Sequence, residues 1–273
     1  MDKSAADIFE TACLAELEAI KPGNVHVFAD GHGMTIRDFA KSARGAAIEI
    51  AKSGLTVGQR IELAVSGSWV LVRCNTNLGI VLLAAPMIHA ALTEQTLSQV
   101  LQALTVEDAE RAYRAILRAN PAGLGKVENY DVNKEPLCTL LRAMQVAADR
   151  DKVAYQYANN YADLRNIGIP AYQQALAQWK NPTWATTLVY LTFLTQFPDT
   201  HVVRKFGAEI AEKIQQQAAT HLAALQASIN PKLYLSALLK FDAELKQQGI
   251  NPGTSADLTV ATLLAIELKT FST

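Results

Sequence analysis

Cysteine is scarce in this 273-residue chain: Cys13, Cys74 and Cys138 lie far apart and make no CxxC pair. That excludes a disulfide scaffold and a cysteine zinc site, and free thiols fit a reducing compartment. Aromatic residues make up only 7% of the chain, and long β-branched alternating runs are missing, which leaves little material for strands. No apolar run reaches the roughly 18 residues that a membrane span needs. Charge of one sign is also lacking. A formal net charge of -1 gives no global field to gather nucleic acid or an anionic membrane, so any basic site must be local. Acids spread through the N-terminal stretch argue against a secretory leader, and the chain is expected to be soluble and cytoplasmic. GxSxG, HExxH, Walker A and strand-associated GxGxxG signatures are absent.

What is present is helical. Half the residues are hydrophobic, mostly Ala and Leu, enough for a sizeable core. Apolar residues recur at helical spacing from Asp7 to Ile20, after a Ser4–Asp7 capping pair. Thr35 with Asp38 opens a second helix, and a third runs from Val57 to Val72. The next stretch, LGIVLLAAPMIHAAL, is nearly all apolar and reads as the central buried helix, kinked or divided by Pro86. Two shorter helices span Thr93 to Leu104 and Thr105 to Arg118. Helical pattern resumes near Glu135 and, with a break at Asp149 to Asp151, continues to Gly168. Further helices cover Ala171 to Lys180, Thr183 to Gln196, Thr200 to Ser228, Pro231 to Gln248 and Ser255 to Thr270. Without repeats or a linker, the expectation is one compact all-α domain over residues 1–273. It has about ten helices and a polar cleft formed by interhelical loops.

Those loops share a vocabulary: Lys21-Pro22-Gly23-Asn24, Asn75-Thr76-Asn77-Leu78-Gly79, Gly123 and Gly125 followed by Asp131, Pro198-Asp199-Thr200-His201, and Asn251 through Asp257. Taken singly, most are ordinary helix punctuation. Together they place several helix N-termini beside polar side chains, and such ends bind phosphate readily. Lys21, Arg204 and Lys205 are the cations to neutralise it. Asn24, Asn75, Thr76, Asn77, Thr254 and Ser255 supply donors, and Gly79, Gly123 and Gly125 allow close backbone approach. Glu16, Asp38, Asp131, Asp199 and Asp257 could hold Mg2+ or Mn2+, which bridges carboxylates and phosphates. Asp199, Asp257 and His201 are the catalytic candidates. If Asp199 caps a helix, His201 and Lys205 share one face of it. His89 is expected to pack between helices, and the remaining histidines have no metal spacing.

The ordered set KPGNV, NTNLG, GLG followed by DV, PDTHxxRKxG and NPGTSADLT resembles the triphosphoribosyl-dephospho-CoA synthase family, from Ala12 to about Leu264. The resemblance implies a helical enzyme that joins a hydroxyl of dephospho-CoA to the ribose C1 of ATP and expels adenine. Lys21, Arg204 and Lys205 would then hold the polyphosphate with Mg2+, and Asp199 or Asp257 would act as base. Better-known members read approximately KPGLVD and NTHKG, where this chain has His26 and the pair Asn77-Leu78. These departures resemble a shorter-chain branch of archaea and of bacteria that handle one-carbon units. They imply an alternative: phosphoribosyl transfer, from ATP or phosphoribosyl diphosphate, in making a one-carbon coenzyme of the tetrahydromethanopterin or methanofuran type. A non-catalytic nucleotide or coenzyme binder, and a helical interaction scaffold, are the readings from other classes. Ala-rich helices could support a homodimer.

Overall fold

A computed structural model describes residues 3–121 and 132–271, and the described residues are all-α, with fourteen α-helices and no strand. In order they are α1 (Ala5–Glu18), α2 (Ile36–Ile50), α3 (Val57–Val72), α4 (Leu78–Thr93), α5 (Leu97–Gln102), α6 (Val106–Ala119) and α7 (Leu140–Ala147). Then come α8 (Lys152–Ala158), α9 (Ile169–Trp179), α10 (Pro182–Gln196), α11 (Thr200–Phe206), α12 (Ala208–Gln226), α13 (Leu235–Gln247) and α14 (Gly253–Glu267). Ser4–Asp7, Thr35–Asp38 and Thr105–Asp108 form the capping boxes that their spacing predicts, and α3 has the expected bounds.

The helix count exceeds the expected ten because backbone breaks subdivide the longer patterns. The stretch Thr200 to Ser228 is two helices, since Gly207 has φ +88° and ends α11 where side-chain periodicity gives no warning. A π-helical turn, Leu164–Gly168, feeds α9, and a 3-10 turn, Pro231–Tyr234, precedes α13. Cys138 lies just before α7.

Three helices with buried residues on all sides, α4, α10 and α14, form the inside, and amphipathic helices cover them. One apolar cluster surrounds α4 and takes Leu258, Ala261 and Leu264 from α14. A second gathers α10, α12 and α13, with Leu188, Leu191, Ile214 and Phe241. Helix α10 serves both, through Val189 and Phe193 to the first and Leu188 and Leu194 to the second.

Pro86 does not divide α4. A proline there removes the amide bond that would reach the Leu82 carbonyl four residues back. The Tyr157 hydroxyl supplies the missing donor at 2.6 Å, and Tyr161 donates to the Leu83 carbonyl at 3.1 Å. No helix among the described residues is long and apolar enough to cross a membrane.

Candidate active site

The polar loops meet at a cavity of about 550 Å3. Asp199 brings two of them together. Its Oδ1 accepts the His201 and Val202 amides at 2.9 and 3.2 Å, capping α11. Its Oδ2 accepts both the amide and the hydroxyl of Ser255 at 2.8 Å, so the starts of α11 and α14 are tied to one carboxylate. Thr254 adds to this seam by accepting the His201 amide at 3.1 Å. Gly253 lies against the imidazole: a Cβ there would stand 2.4 Å from His201 Nδ1.

The KPGN loop is held from three sides. Gly23, at φ +85°, donates its amide to Asp242 at 2.8 Å, and the Tyr190 hydroxyl donates to the Pro22 carbonyl at 2.6 Å. Lys21 turns inward. Its ammonium pairs with Glu16 and donates to Asn24 Oδ1 at 3.1 Å, and Asn24 in turn donates to Asn251 Oδ1 at 2.8 Å. Glu16, Asn24 and Asn251 line the cavity, whereas Lys21 sits behind them with 0% exposure.

At the NTNLG loop, Asn75 Oδ1 accepts the Leu78 amide at 3.2 Å and caps α4. Thr76 bonds to Ser42, and Asn77 donates to Ser68 Oγ at 2.9 Å, so both fasten the start of α4 to α2 and α3. Gly79 has a sharper role. A Cβ at this position would lie 2.1 Å from Asp257 Oδ2, so only glycine leaves room for that carboxylate.

The lining combines apolar residues, Phe39, Ile80, Tyr113, Leu140 and Met144 among them, with the ionisable side chains of Asp257, Glu16, His201, Arg150, Arg204 and Lys205. Helices α4 and α14 both begin there. Asp151 caps α8 through its Oδ1 and pairs with Arg204 through its Oδ2 at 2.5 Å.

Burial dominates the electrostatics. It pushes the Asp257 carboxyl well above the usual carboxylate range, helped by the negative charges of Asp199, Glu16 and Asp151. Burial likewise raises Asp199, against the hydrogen bonds from Ser255, Val202 and His201 that favour its charged form. It raises Glu16 too, although Lys21 pulls the other way. The His201 imidazole falls to about 4 through burial and the neighbouring Arg204 and Lys205, so it is neutral at physiological pH.

Most expected residues therefore gather, in altered roles. Glu16, Asn24, Asn75, Thr76, Asn77, Gly79, His201, Arg204, Lys205, Thr254 and Asp257 line the cavity. Lys21 is a buried ion-pair partner rather than a cavity cation, because the turn at Gly23 points it back toward α1. Asp199 and Ser255 do not line the cavity, because each carboxylate oxygen is engaged at the helix starts. Asp38 is used by Thr35, whose amide and hydroxyl donate to it at 2.8 Å, and lies away from the cavity. Gly123, Gly125 and Asp131 fall outside the described residues. Of the expected metal carboxylates that the structure describes, Glu16 and Asp257 line the cavity and Asp38 and Asp199 do not, and among the described residues no group of three or more His, Cys, Asp or Glu could hold an ion. Sequence reasoning passed over Arg150, Asp151 and His32, which line the cavity together with Asn251 from the last polar loop. Asp151 had a signal, since an Asp at a helical break is a cap and caps mark where α8 opens inward.

Fold and cavity define a class: an all-helical protein with a loop-lined cleft that combines cations, helix starts and a carboxylate. The chain belongs to the ATP:dephospho-CoA triphosphoribosyl transferase family, whose model matches residues 2–272. A Citrobacter koseri protein, provisionally named 2-(5''-triphosphoribosyl)-3'-dephosphocoenzyme-A synthase, is 36% identical over 101 residues. That match covers 37% of this chain and spans about a third (33%) of the relative's length. A crystal structure from Archaeoglobus fulgidus, provisionally named a triphosphoribosyl-dephospho-CoA synthase, superposes with a TM-score of 0.62 at 23% identity. It covers 84% of this chain and 97% of the other, and it shows the shared fold.

Proposed function

We propose that the protein is a Mg2+-dependent ribosyl transferase joining the ribose C1 of ATP to an acceptor hydroxyl, with dephospho-CoA as the acceptor. The C1–N bond to adenine breaks and a C1–O bond to the acceptor forms. The hydroxyl proton leaves by way of the base and ends on adenine, and the triphosphate stays on the ribose.

Asp257 carries this reading. It faces the cavity, and its carboxylate makes no hydrogen bond or ion pair to any described residue. A carboxyl left unpaired at such a site, and raised above the usual carboxylate range by burial, suits a general base for a hydroxyl. Asp199 has no free oxygen for that task. Glu16, beside it, and Asp257 would face the positive charge that develops on the ribose as adenine departs. Arg150, Arg204 and Lys205, with the starts of α4 and α14, suit the polyphosphate.

The donor set also fits the metal. Glu16 and Asp257 both line the cavity, and Mg2+ commonly takes one or two carboxylates plus phosphate oxygens. With Asp257 assigned as base, Glu16 is the cavity carboxylate that would hold the ion. When bound, the ion neutralises polyphosphate charge.

Leu78 favours a second reading. It lines the cavity at the position where better-known members of the resembling family carry lysine, so one phosphate cation is missing. A less charged pairing, phosphoribosyl transfer to a one-carbon coenzyme precursor, fits that wall. Incubation with Mg2+, ATP and dephospho-CoA, with adenine resolved by chromatography and mass, separates the two. Adenine release dependent on dephospho-CoA is the expected result. Silence there, with turnover of phosphoribosyl diphosphate, would favour the second reading.

A further inference from the structure

The only lysine in the KPGN turn is spent behind the cavity wall, and its cost is considerable. An ammonium at 0% exposure loses its hydration, and pairing with Glu16 recovers only part of that loss. A well-packed apolar residue would be at least as stabilising at such a position. Three independent anchors nevertheless hold the turn in this shape: the positive φ of Gly23, the Asp242 bond to its amide, and the Tyr190 hydroxyl on Pro22. Asp242 is itself fixed by Lys246 at 3.0 Å and His26 at 3.2 Å. The turn is therefore rigid, and it aims the ammonium at two groups that do reach the cavity.

Those two groups are Glu16 and Asn24, and Asn24 passes the constraint on to Asn251. Lys21 binds Glu16 Oε1, which leaves Oε2 for the cavity. The geometry points to Lys21 as a positioning residue: it fixes Glu16, Asn24 and Asn251 in the cavity wall and touches no substrate itself. This rests on the reading that the cavity takes Mg2+ and ATP. It moves the phosphate contacts from Lys21 to Arg150, Arg204 and Lys205.

The test compares Lys21→Met, Glu16→Gln and the double variant Glu16→Gln/Lys21→Met with the intact protein. Mg2+ binding in the presence of ATP, without acceptor, is measured by calorimetry. Loss of an outer-layer partner of a metal carboxylate lowers ion affinity by about 10–100-fold, and that is the fall expected for Lys21→Met. At saturating Mg2+, the KM for ATP should stay within about twofold of the intact protein's, with the same salt dependence, while kcat falls about tenfold or more. A KM for ATP that rises about tenfold and loses salt dependence would instead make Lys21 a phosphate ligand and overturn the inference. Lys21→Met strands Glu16, so its melting temperature should drop, and the double variant should recover it. Recovery of kcat along with it would reduce the pair to a structural element, and the inference would fail. Should the intact protein release no adenine, the reaction proposed above fails, but calorimetry still decides this point. Equal Mg2+ affinity in the intact protein and Lys21→Met, or no binding of Mg2+ with ATP at all, would overturn it.

Discussion

Two aspartates that look alike in the sequence separate at the residue scale. Asp257 is unpaired, and its folded carboxyl is raised well above the usual range, so ionising it near neutral pH costs the folded state. Asp257→Asn removes that cost, and denaturant unfolding at pH 7 should show stability equal to or above the parent, while turnover falls by about 10²–10⁴ as for a lost general base. Asp199→Ala strands the His201, Val202 and Ser255 donors. It should cost about 2–5 kcal/mol in the same experiment. Gly79→Ala drives a methyl into the Asp257 carboxylate; melting should show a loss of about 1–3 kcal/mol, and turnover should fall with it. His201 titrates at about 4 when folded against 6.5 ordinarily, so the unfolded chain takes up the proton first as pH drops. Stability should be complete above pH 6.5 and decline toward pH 4, and His201→Gln should flatten that stretch of the unfolding profile. The residue types of the site were legible in the loops, but their use was not. Sequence spacing cannot say whether Asp199 spends its oxygens on helix caps, or which way a lysine turns two residues before a glycine with positive φ.

At the scale of the element, α4 shows how a sequence conflict is resolved elsewhere. Its composition marks it as buried, and Pro86 marks it as interrupted, yet it runs from Leu78 to Thr93. Two tyrosines seventy-odd residues away complete its carbonyls. Tyr157→Phe should therefore cost about 1–3 kcal/mol, the penalty for a buried carbonyl left unpaired. Pro86→Ala restores the internal amide donor, and in that background the same tyrosine change should cost less. A double-mutant cycle by chemical denaturation checks this, and additive losses would sink the explanation. Capping boxes made α1, α2 and α6 readable to within a residue or two, because the signal is local. The division of Thr200 to Ser228 was not readable, because Gly207 breaks the backbone without interrupting the apolar period.

For the whole molecule, the arrangement predicts a linkage between folding and ligand. The cavity is walled by α4, α7, α8, α11 and α14, so a ligand that fills it contacts elements from both halves of the chain. With Mg2+ present, ATP at 100 times its Kd should stabilise the protein by about 2.7 kcal/mol, read as a rise in melting temperature. Asp257→Asn should keep much of that rise if the polyphosphate contacts lie at Arg150, Arg204 and Lys205. An all-α architecture, the central place of α4 and the family were fixed by sequence alone, since composition, period, caps and ordered motifs are local properties of the chain. Which carboxylate stands unpaired, which cation is buried and which glycine makes room for Asp257 were decided only by tertiary structure. Each depends on loops far apart in the chain meeting at and behind one cavity, where burial shifts the charge of these groups and the helix starts take up the hydrogen bonds of Asp199.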